Sequence, residues 1–260
     1  MTASIEFREV SFAASRSRVL LDRISLALDS GTTTAILGRS GSGKTTLLRT
    51  VNRMVEPTGG EVLIYGKNVR DEERTALRHS IGYVIQETGL FPHFTVERNV
   101  SIVPEIQGVP RSTYRQRSHE LLQSVGLDPV SFAHRYPHQL SGGQRQRVGL
   151  ARALAAEPPI LLMDEPFGAL DPLTRSEMQD MLRGLLAPMS NSPKNNTQTS
   201  KTVLLVTHDL DEALYLASRI VLLEDGRLVA DLCPEDFLRS PQPEVQAYVR
   251  AYRRGERAVQ

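Results

Sequence analysis

Along most of the chain, short apolar runs alternate with helix-period stretches, and one long helical interval interrupts the alternation. Ile5–Phe12 and Val19–Leu28 carry partial period-two patterning, with Ile24, Leu26 and Leu28 on one side and a Ser/Arg turn between the runs. Side chains two apart share a strand face, so these runs predict an antiparallel pair. Asp29-Ser-Gly31 turns the chain into Thr33–Leu37, a short apolar strand. Helical periodicity follows from Gly43 to Met54, and Pro57-Thr-Gly-Gly60 breaks it. Glu61–Tyr65 predicts a further strand ending in a Gly-Lys-Asn turn, Arg70–His79 a charged surface helix, and Ile81–Ile85 a buried strand that stops at Gln86.

From about residue 87 to 154 the pattern is mostly helical. Tyr114, Ser118, Leu121, Leu122 and Val125 fall on one helix face, with Arg111, Arg115, Arg117 and Glu120 mostly facing away as a solvated surface. Leu140–Ala156 predicts a second helix. Alternation then returns as strand Ile160–Met163, helix Leu173–Leu186, strand Thr202–Thr207, helix Leu210–Ala217 and strand Ile220–Leu223. Asp171-Pro172 marks the first of these helix starts: a capping side chain, then proline where a missing N–H costs nothing. Met178, Met181, Leu182, Leu185 and Leu186 form its apolar stripe, read as core. Pro188–Lys201, dominated by Ser, Asn, Thr and Gln, reads as a flexible surface loop, and Pro234–Gln260 as a short helix followed by a longer one. The expected organisation is a single α/β domain over 1–260. Residues 1–86 and 155–232 form its core, 87–154 a helical subdomain and 233–260 a helical tail.

Composition sharpens this only a little. Hydrophobic residues make up 40% of the chain, as in a globular protein, and the net charge of +1 supplies no basic field for nucleic acid. Cys233 is the single cysteine, so no intrachain disulfide forms and a reducing compartment is expected. The acidic, mixed start Met1-Thr-Ala-Ser-Ile-Glu does not read as a signal peptide. No apolar run approaches the ~18 residues of a membrane span.

The chemistry starts between strand Thr33–Leu37 and the following helix. Gly38-Arg39-Ser40-Gly41-Ser42-Gly43-Lys44-Thr45-Thr46 has the spacing of a phosphate-binding loop. Glycines let successive N–H groups converge on one centre, and the helix N-terminus adds partial positive charge. Lys44 is placed to reach β- and γ-phosphates and Thr45 to offer a hydroxyl to Mg²⁺. An ordinary glycine turn opening an ordinary helix is the alternative. Asp164 and Glu165 end the apolar strand Ile160–Met163, where one carboxylate can hold Mg²⁺ and the other polarise an attacking water. Leu140-Ser141-Gly142-Gly143-Gln144 opens a helix with a Ser-x-x-Gln capping box, and equally with a hydroxyl and two glycines suited to an anion. Local physics leaves both readings open.

Lys44, Gln86, the 140–144 stretch, Asp164-Glu165, Gly168-Ala-Leu-Asp171 and Thr207-His208-Asp209 occur together and in this order. The set resembles the nucleotide-binding subunit of an ATP-binding-cassette transporter across nearly the whole chain. That resemblance implies a P-loop NTPase (RecA-like) core with an N-terminal antiparallel β subdomain and an inserted α-helical subdomain. It implies ATP and Mg²⁺, and a head-to-tail dimer, with a second copy or a similar ATPase, in which Ser141 and Gly143 reach the γ-phosphate in trans. Gly142 and Gln144 belong to the same signature. Gln86 would touch Mg²⁺ or the attacking water, Glu165 would act as the base, His208 would contact the γ-phosphate, and Asp171 would join the two sites. The family commonly carries an adenine-stacking aromatic where this chain has Ala14; Phe12, two residues back on the same face, is a candidate substitute or else core.

The stretches Val51–Gly60 and Ile81–Val100 are most like ATPases of osmoprotectant importers for glycine betaine, choline or proline betaine. The resemblance therefore implies a separate membrane permease, an extracytoplasmic solute-binding protein and a position on the cytoplasmic face of the inner membrane. Phe91, Phe94 and Val96 are candidates to receive a coupling helix from the permease, or else subdomain core. An ATPase of lipid trafficking, or a cassette acting on ribosomes or DNA, would share the catalytic motifs.

Overall fold

The computed structural model describes residues 3–15, 18–86, 88–168, 170–186 and 201–257. The strands and helices, in chain order, begin with β1 (Ala3–Ser15), β2 (Arg18–Asp29), β3 (Thr33–Leu37), α1 (Lys44–Val51), β4 (Gly59–Ile64), β5 (Lys67–Asn68), α2 (Arg74–His79) and β6 (Ile81–Val84). A helical interval follows: α3 (Val96–Ile106), α4 (Arg111–Ser124), α5 (Pro129–Phe132) and α6 (Gly142–Leu154). The chain closes with β7 (Ile160–Asp164), α7 (Pro172–Leu186), β8 (Thr202–Val206), α8 (Leu210–Leu216), β9 (Arg219–Glu224), β10 (Arg227–Leu232), α9 (Pro234–Arg239) and α10 (Pro243–Arg257). It divides into two units, Met1–Leu77 with Thr202–Gln260, and Arg78–Lys201.

The first unit holds an antiparallel sheet in the order β2-β1-β4-β5 and a run of strands in the order β10-β9-β3-β8. β3 is parallel to both β8 and β9. Ala35, Ile36 and Leu37 are fully buried, because a central parallel strand is covered on both faces and so reads as a continuous apolar run. Beneath β3 and β9, Leu210, Ala213, Ile220, Leu222, Phe237, Val245 and Val249 form one apolar cluster that docks α8, α9 and α10. Burying a side chain such as Phe237 or Val245 contributes ~1.5–3 kcal/mol.

The sequence boundaries needed local correction here. α1 ends at Val51 rather than Met54, because Arg53 adopts a left-handed φ of 54°. Of Arg70–His79 only Arg74–His79 is helical, with the Glu73 carboxylate accepting from the N–H groups of Thr75 and Ala76 at 2.8 and 2.7 Å. The Gly-Lys-Asn turn folds back as β5 onto β4. β10 was not expected at all; it pairs with β9 through Asp225-Gly226, a hairpin dipeptide with φ of 47° and 74°.

In the second unit β6 and β7 pair in parallel, Ile81 with Ile160 through Val84 with Met163. α4 matches the predicted face, with Ser118, Leu121, Leu122 and Val125 buried and Tyr114 half-buried. α3 is an additional helix, capped by Thr95 and carrying Pro104 inside it. Asn99 on α3 accepts from the Phe91 N–H at 2.7 Å and donates to the carbonyls of Phe91 and Phe94, which folds the preceding loop onto the helix. Arg152 on α6 donates to the carbonyls of Thr88 and Gly89 at 2.8 and 2.7 Å and anchors the segment after β6. On α7, Met178 and Leu182 are buried while Met181, Leu185 and Leu186 are half-buried. The predicted loop Pro188–Lys201 lies outside the described residues apart from Lys201. Among the described residues, no helix is long and apolar enough to cross a membrane.

Candidate functional site

In the first unit, β3 delivers the chain into the glycine loop. A Cβ on Gly38 would sit 2.3 Å from the Leu223 carbonyl oxygen and 2.6 Å from Ser42 Oγ, so backbone approach leaves room for glycine alone. Gly43 is the N-cap of α1 in left-handed geometry (φ 100°), and a Cβ there would meet the Leu20 carbonyl at 2.4 Å. No side chain caps α1, so its first-turn N–H groups are not taken by a capping oxygen. Lys44 is buried, and its Nζ donates to the carbonyls of Gly38 and Arg39, both at 2.9 Å. The ammonium is thereby held over the mouth of its own loop. Arg39, Ser40 and Gly41 are exposed, Ser42 and Gly43 buried, Thr45 and Thr46 half-buried. Ser42 Oγ is buried with no hydrogen-bond partner, an arrangement that costs free energy unless a ligand oxygen completes it. Convergent amides, a fixed ammonium and an unsatisfied hydroxyl suit a polyphosphate.

His208 belongs to the same unit. It follows β8 and is exposed, and Thr207 before it is buried with its N–H donating to the Ile36 carbonyl at 3.2 Å. Asp209 caps α8 by accepting from the Glu212 N–H at 3.1 Å. Phe12 is half-buried on β1 opposite Leu21, outside the core, while Ala14 is exposed.

The second unit brings Gln86, Asp164 and Glu165 together. Asp164 closes β7 and is buried, with the Tyr83 hydroxyl 3.4 Å from its Oδ2. Glu165 takes a left-handed φ of 46°, which turns its carboxylate off the strand axis. The exposed Gln86 donates from Nε2 to Glu165 Oε2 at 3.3 Å. Within this unit the buried Asp164 carboxylate and the Gln86 amide oxygen are hard oxygen donors of the kind Mg²⁺ takes. Among the described residues no cluster of three or more His, Cys, Asp or Glu side chains forms a separate metal site.

The capping box at the start of α6 is fully formed: Ser141 Oγ accepts from the Gln144 N–H at 3.2 Å and Gln144 Oε1 accepts from the Ser141 N–H at 3.0 Å. Ser141 and Gly142 are nevertheless exposed, and Gly143 faces the Thr174 methyl group, where a Cβ would come within 2.6 Å. Asp171 is the expected cap of α7, accepting from the Thr174 N–H at 3.1 Å. That hydrogen bond, joined by the Thr174 side chain, holds the Asp171 carboxyl below its ordinary value. Two contributors were missed from the sequence. Tyr83 carries a strand-alternation signal but nothing to mark its hydroxyl, and Gln146, one helical step past the capping box, donates to the Pro166 carbonyl and fixes the turn after Glu165.

The ABC transporter family model matches residues 21–168, from β2 to the turn beyond Glu165. This chain belongs to the ABC transporter family. Its cassette is 44% identical over 240 residues to the choline transport ATP-binding protein OpuBA of Bacillus subtilis, covering 92% of this chain and 59% of that protein. It is 44% identical to the osmoprotectant import ATP-binding protein OsmV of Salmonella typhimurium, over 86% of this chain and 56% of the relative. The glycine betaine uptake ATP-binding protein YehX of Escherichia coli is 43% identical, over 91% of this chain and 73% of its own length. The cassette thus spans less than two thirds of the first two relatives. Among solved structures, a dimeric cassette in a post-hydrolysis state with ADP and Pi superposes with a TM-score of 0.75 at 33% identity, over 88% of this chain and 98% of that one. CbiO1 of Clostridium perfringens, part of a transporter complex, superposes with a TM-score of 0.79 at 26% identity over the full length of both. The P-loop NTPase class and the β and helical subdivisions read from sequence agree with these neighbours.

Proposed function

We propose that this cassette is the ATP-hydrolysing subunit of an importer for a small quaternary-amine osmoprotectant, working through a separate membrane permease with an extracytoplasmic solute-binding protein. The Gln86 amide on the Glu165 carboxylate, beside a buried Asp164, carries the hydrolytic part of this reading. The names of the relatives, choline, glycine betaine and osmoprotectant transport, carry the substrate class. In this reading ATP lies on Gly38–Thr46, with Lys44 and Ser42 contributing donors and Phe12 against the base. Glu165 orients and deprotonates the attacking water, Gln86 holds that carboxylate in place, and His208 contacts the γ-phosphate. Thr45, Asp164 and Gln86 hold Mg²⁺, which when bound neutralises phosphate charge. Ser141, Gly142, Gly143 and Gln144 serve the ATP of a second subunit, with Asp171 at the junction.

In this reading the permease docks on the second unit. A cavity of about 320 Å³ in the second unit is lined by Ile81, Tyr83, Phe91, Ile102, Ile106 and Arg152, with Phe91 and Ile106 well exposed. Phe91 thus remains a contact candidate, and the Phe94 ring lies tilted beside it with centroids 5.1 Å apart. Val96 is fully buried and belongs to the subdomain core. Position at the cytoplasmic membrane face follows from that partnership.

Tagged purification from membranes of the native host tests the assignment. Co-purification of a permease and a binding protein that takes up glycine betaine or choline supports it. A permease with a lipid-binding partner, or ribosomal proteins without a permease, leaves the ATPase standing and overturns the transport role.

A further inference from the structure

The first unit contains a contact that none of the phosphate-binding motifs requires. α10 places Val245 and Val249 in the buried cluster, with the rings of Tyr248 and Tyr252 packed against it. Its two tyrosines, Tyr248 and Tyr252, stand one helical turn apart on a shared face, half-buried, and both hydroxyls go to the same short segment after β8. The Tyr248 hydroxyl donates to the His208 backbone carbonyl at 3.1 Å. The Tyr252 hydroxyl donates to Asp209 Oδ1 at 2.8 Å and lies 3.2 Å from Asp211 Oδ2. Asp209 is also tied to its own turn, its N–H donating to Thr207 Oγ1 at 3.0 Å.

Tyr248 faces the phosphate loop as well. It lines a small cavity together with Gly38 and Arg39. Burial pushes the phenol up to about 12, so it remains a donor across the physiological range. One side chain therefore holds the His208 backbone and borders the first glycine of the loop. Phenylalanine at 248 and 252 would fill the same volume, so packing alone gives no reason for the two hydroxyl groups.

We propose that Tyr248 is a positioning residue for His208, with Tyr252 fixing the turn that follows, so that α10 sets where the imidazole stands relative to the phosphate loop. The inference rests on the reading of His208 as the γ-phosphate contact. His208 itself is exposed, and a side chain on an exposed turn is directed by its backbone. Pinning the carbonyl of that residue, and the cap one position later, limits the φ/ψ range through which the ring can swing.

Single-turnover ATP hydrolysis tests this with Tyr248→Phe, Tyr252→Phe and His208→Ala, alone and combined. Loss of the Tyr248 hydroxyl is expected to slow hydrolysis about three- to tenfold, the scale of one neutral hydrogen bond, with ATP affinity and thermal midpoint little changed. In the His208→Ala background the same substitution should have no further effect. NMR of ¹³C-labelled histidine supplies a second readout: the His208 ring resonance, assigned by its loss in His208→Ala, should shift in Tyr248→Phe with nucleotide bound. An equal slowing in both backgrounds would place the hydroxyl's action elsewhere and overturn the proposal. So would a normal rate and an unmoved ring resonance in Tyr248→Phe while His208→Ala is slow. If His208→Ala hydrolyses normally, the γ-phosphate reading fails first, and the positioning role falls with it.

Discussion

At the start of α1, a Cβ on Gly38 or Gly43 would strike backbone oxygens at 2.3 and 2.4 Å; at the start of α6, a Cβ on Gly142 would meet nothing within 4 Å. The first helix start has no capping side chain, and the second has a complete capping box. The two glycine-rich helix openings thus differ at these positions. In the phosphate loop, Gly38 and Gly43 are glycine because their own unit crowds them. The α6 turn is a satisfied, exposed helix start whose own unit has no need of glycine at 142. Gly142 leaves that surface low, with room for another molecule to approach. This is the condition a contact in trans requires.

The largest effects separate binding from chemistry. Glu165→Gln keeps the shape and the Gln86 neighbour but removes the basic carboxylate, so hydrolysis should fall by about 10²–10⁴-fold while ATP still binds. Gel filtration with ATP should then show a dimer; a monomer there counts against the two-subunit site, and unchanged turnover removes Glu165 from its role. Lys44→Ala should act in the opposite sense, lowering ATP affinity by roughly ten- to a hundredfold, since a hydrogen bond from a charged donor is worth ~1.5–3 kcal/mol. Wild-type affinity in a nucleotide titration would sink the assigned phosphate contact.

A pair of alanines sharpens the comparison directly. Gly38→Ala forces a Cβ into the Leu223 carbonyl and should destabilise the fold by ~1–3 kcal/mol, read as a lower urea midpoint. Gly142→Ala adds a methyl group to open space in the first turn of a helix, so the midpoint should stay level or rise by up to ~1 kcal/mol. Its cost should appear only in the ATP-dependent dimer and its turnover. A stability loss at 142 equal to that at 38 would erase the distinction between the two glycine turns.

These differences explain what the sequence could and could not disclose. β3, β7, β8 and α7 were legible because long apolar runs and the Asp171-Pro172 start are local signals. β10 carried a hairpin dipeptide that went unused, because Arg227–Leu232 lacks a clean alternation and is secured by pairing with β9. α3 was hidden by Pro104 inside it and by Asn99, whose role in folding the 91–95 loop is tertiary. At the site, motif spacing named the residues but not their supports. Tyr83, Gln146 and Tyr248 act through hydroxyl or amide groups delivered from other elements, and no local pattern marks such groups. The Ser141 capping box was readable as a cap and as an anion site, and its geometry satisfies the first while leaving the hydroxyl exposed for the second.

The smallest effects compare the two caps in the second unit. Ser141→Ala removes a neutral acceptor from the start of α6 and should cost ~1 kcal/mol at every pH. Asp171 caps α7 with a carboxylate that the Thr174 N–H holds below its ordinary value, so the folded state favours the ionised form. Such a group stabilises the fold above the unfolded aspartate value of about 4, and that contribution is lost as pH falls through the lower folded value. Asp171→Asn retains an acceptor for Thr174 but does not titrate. Urea midpoints of wild type and Asp171→Asn should therefore differ most near neutrality and converge as the pH drops below about 4, while the Ser141→Ala offset stays constant. Offsets that run parallel for both variants down to pH 3 would mean that Asp171 caps α7 only by geometry and that its charge adds nothing to the stability of the fold.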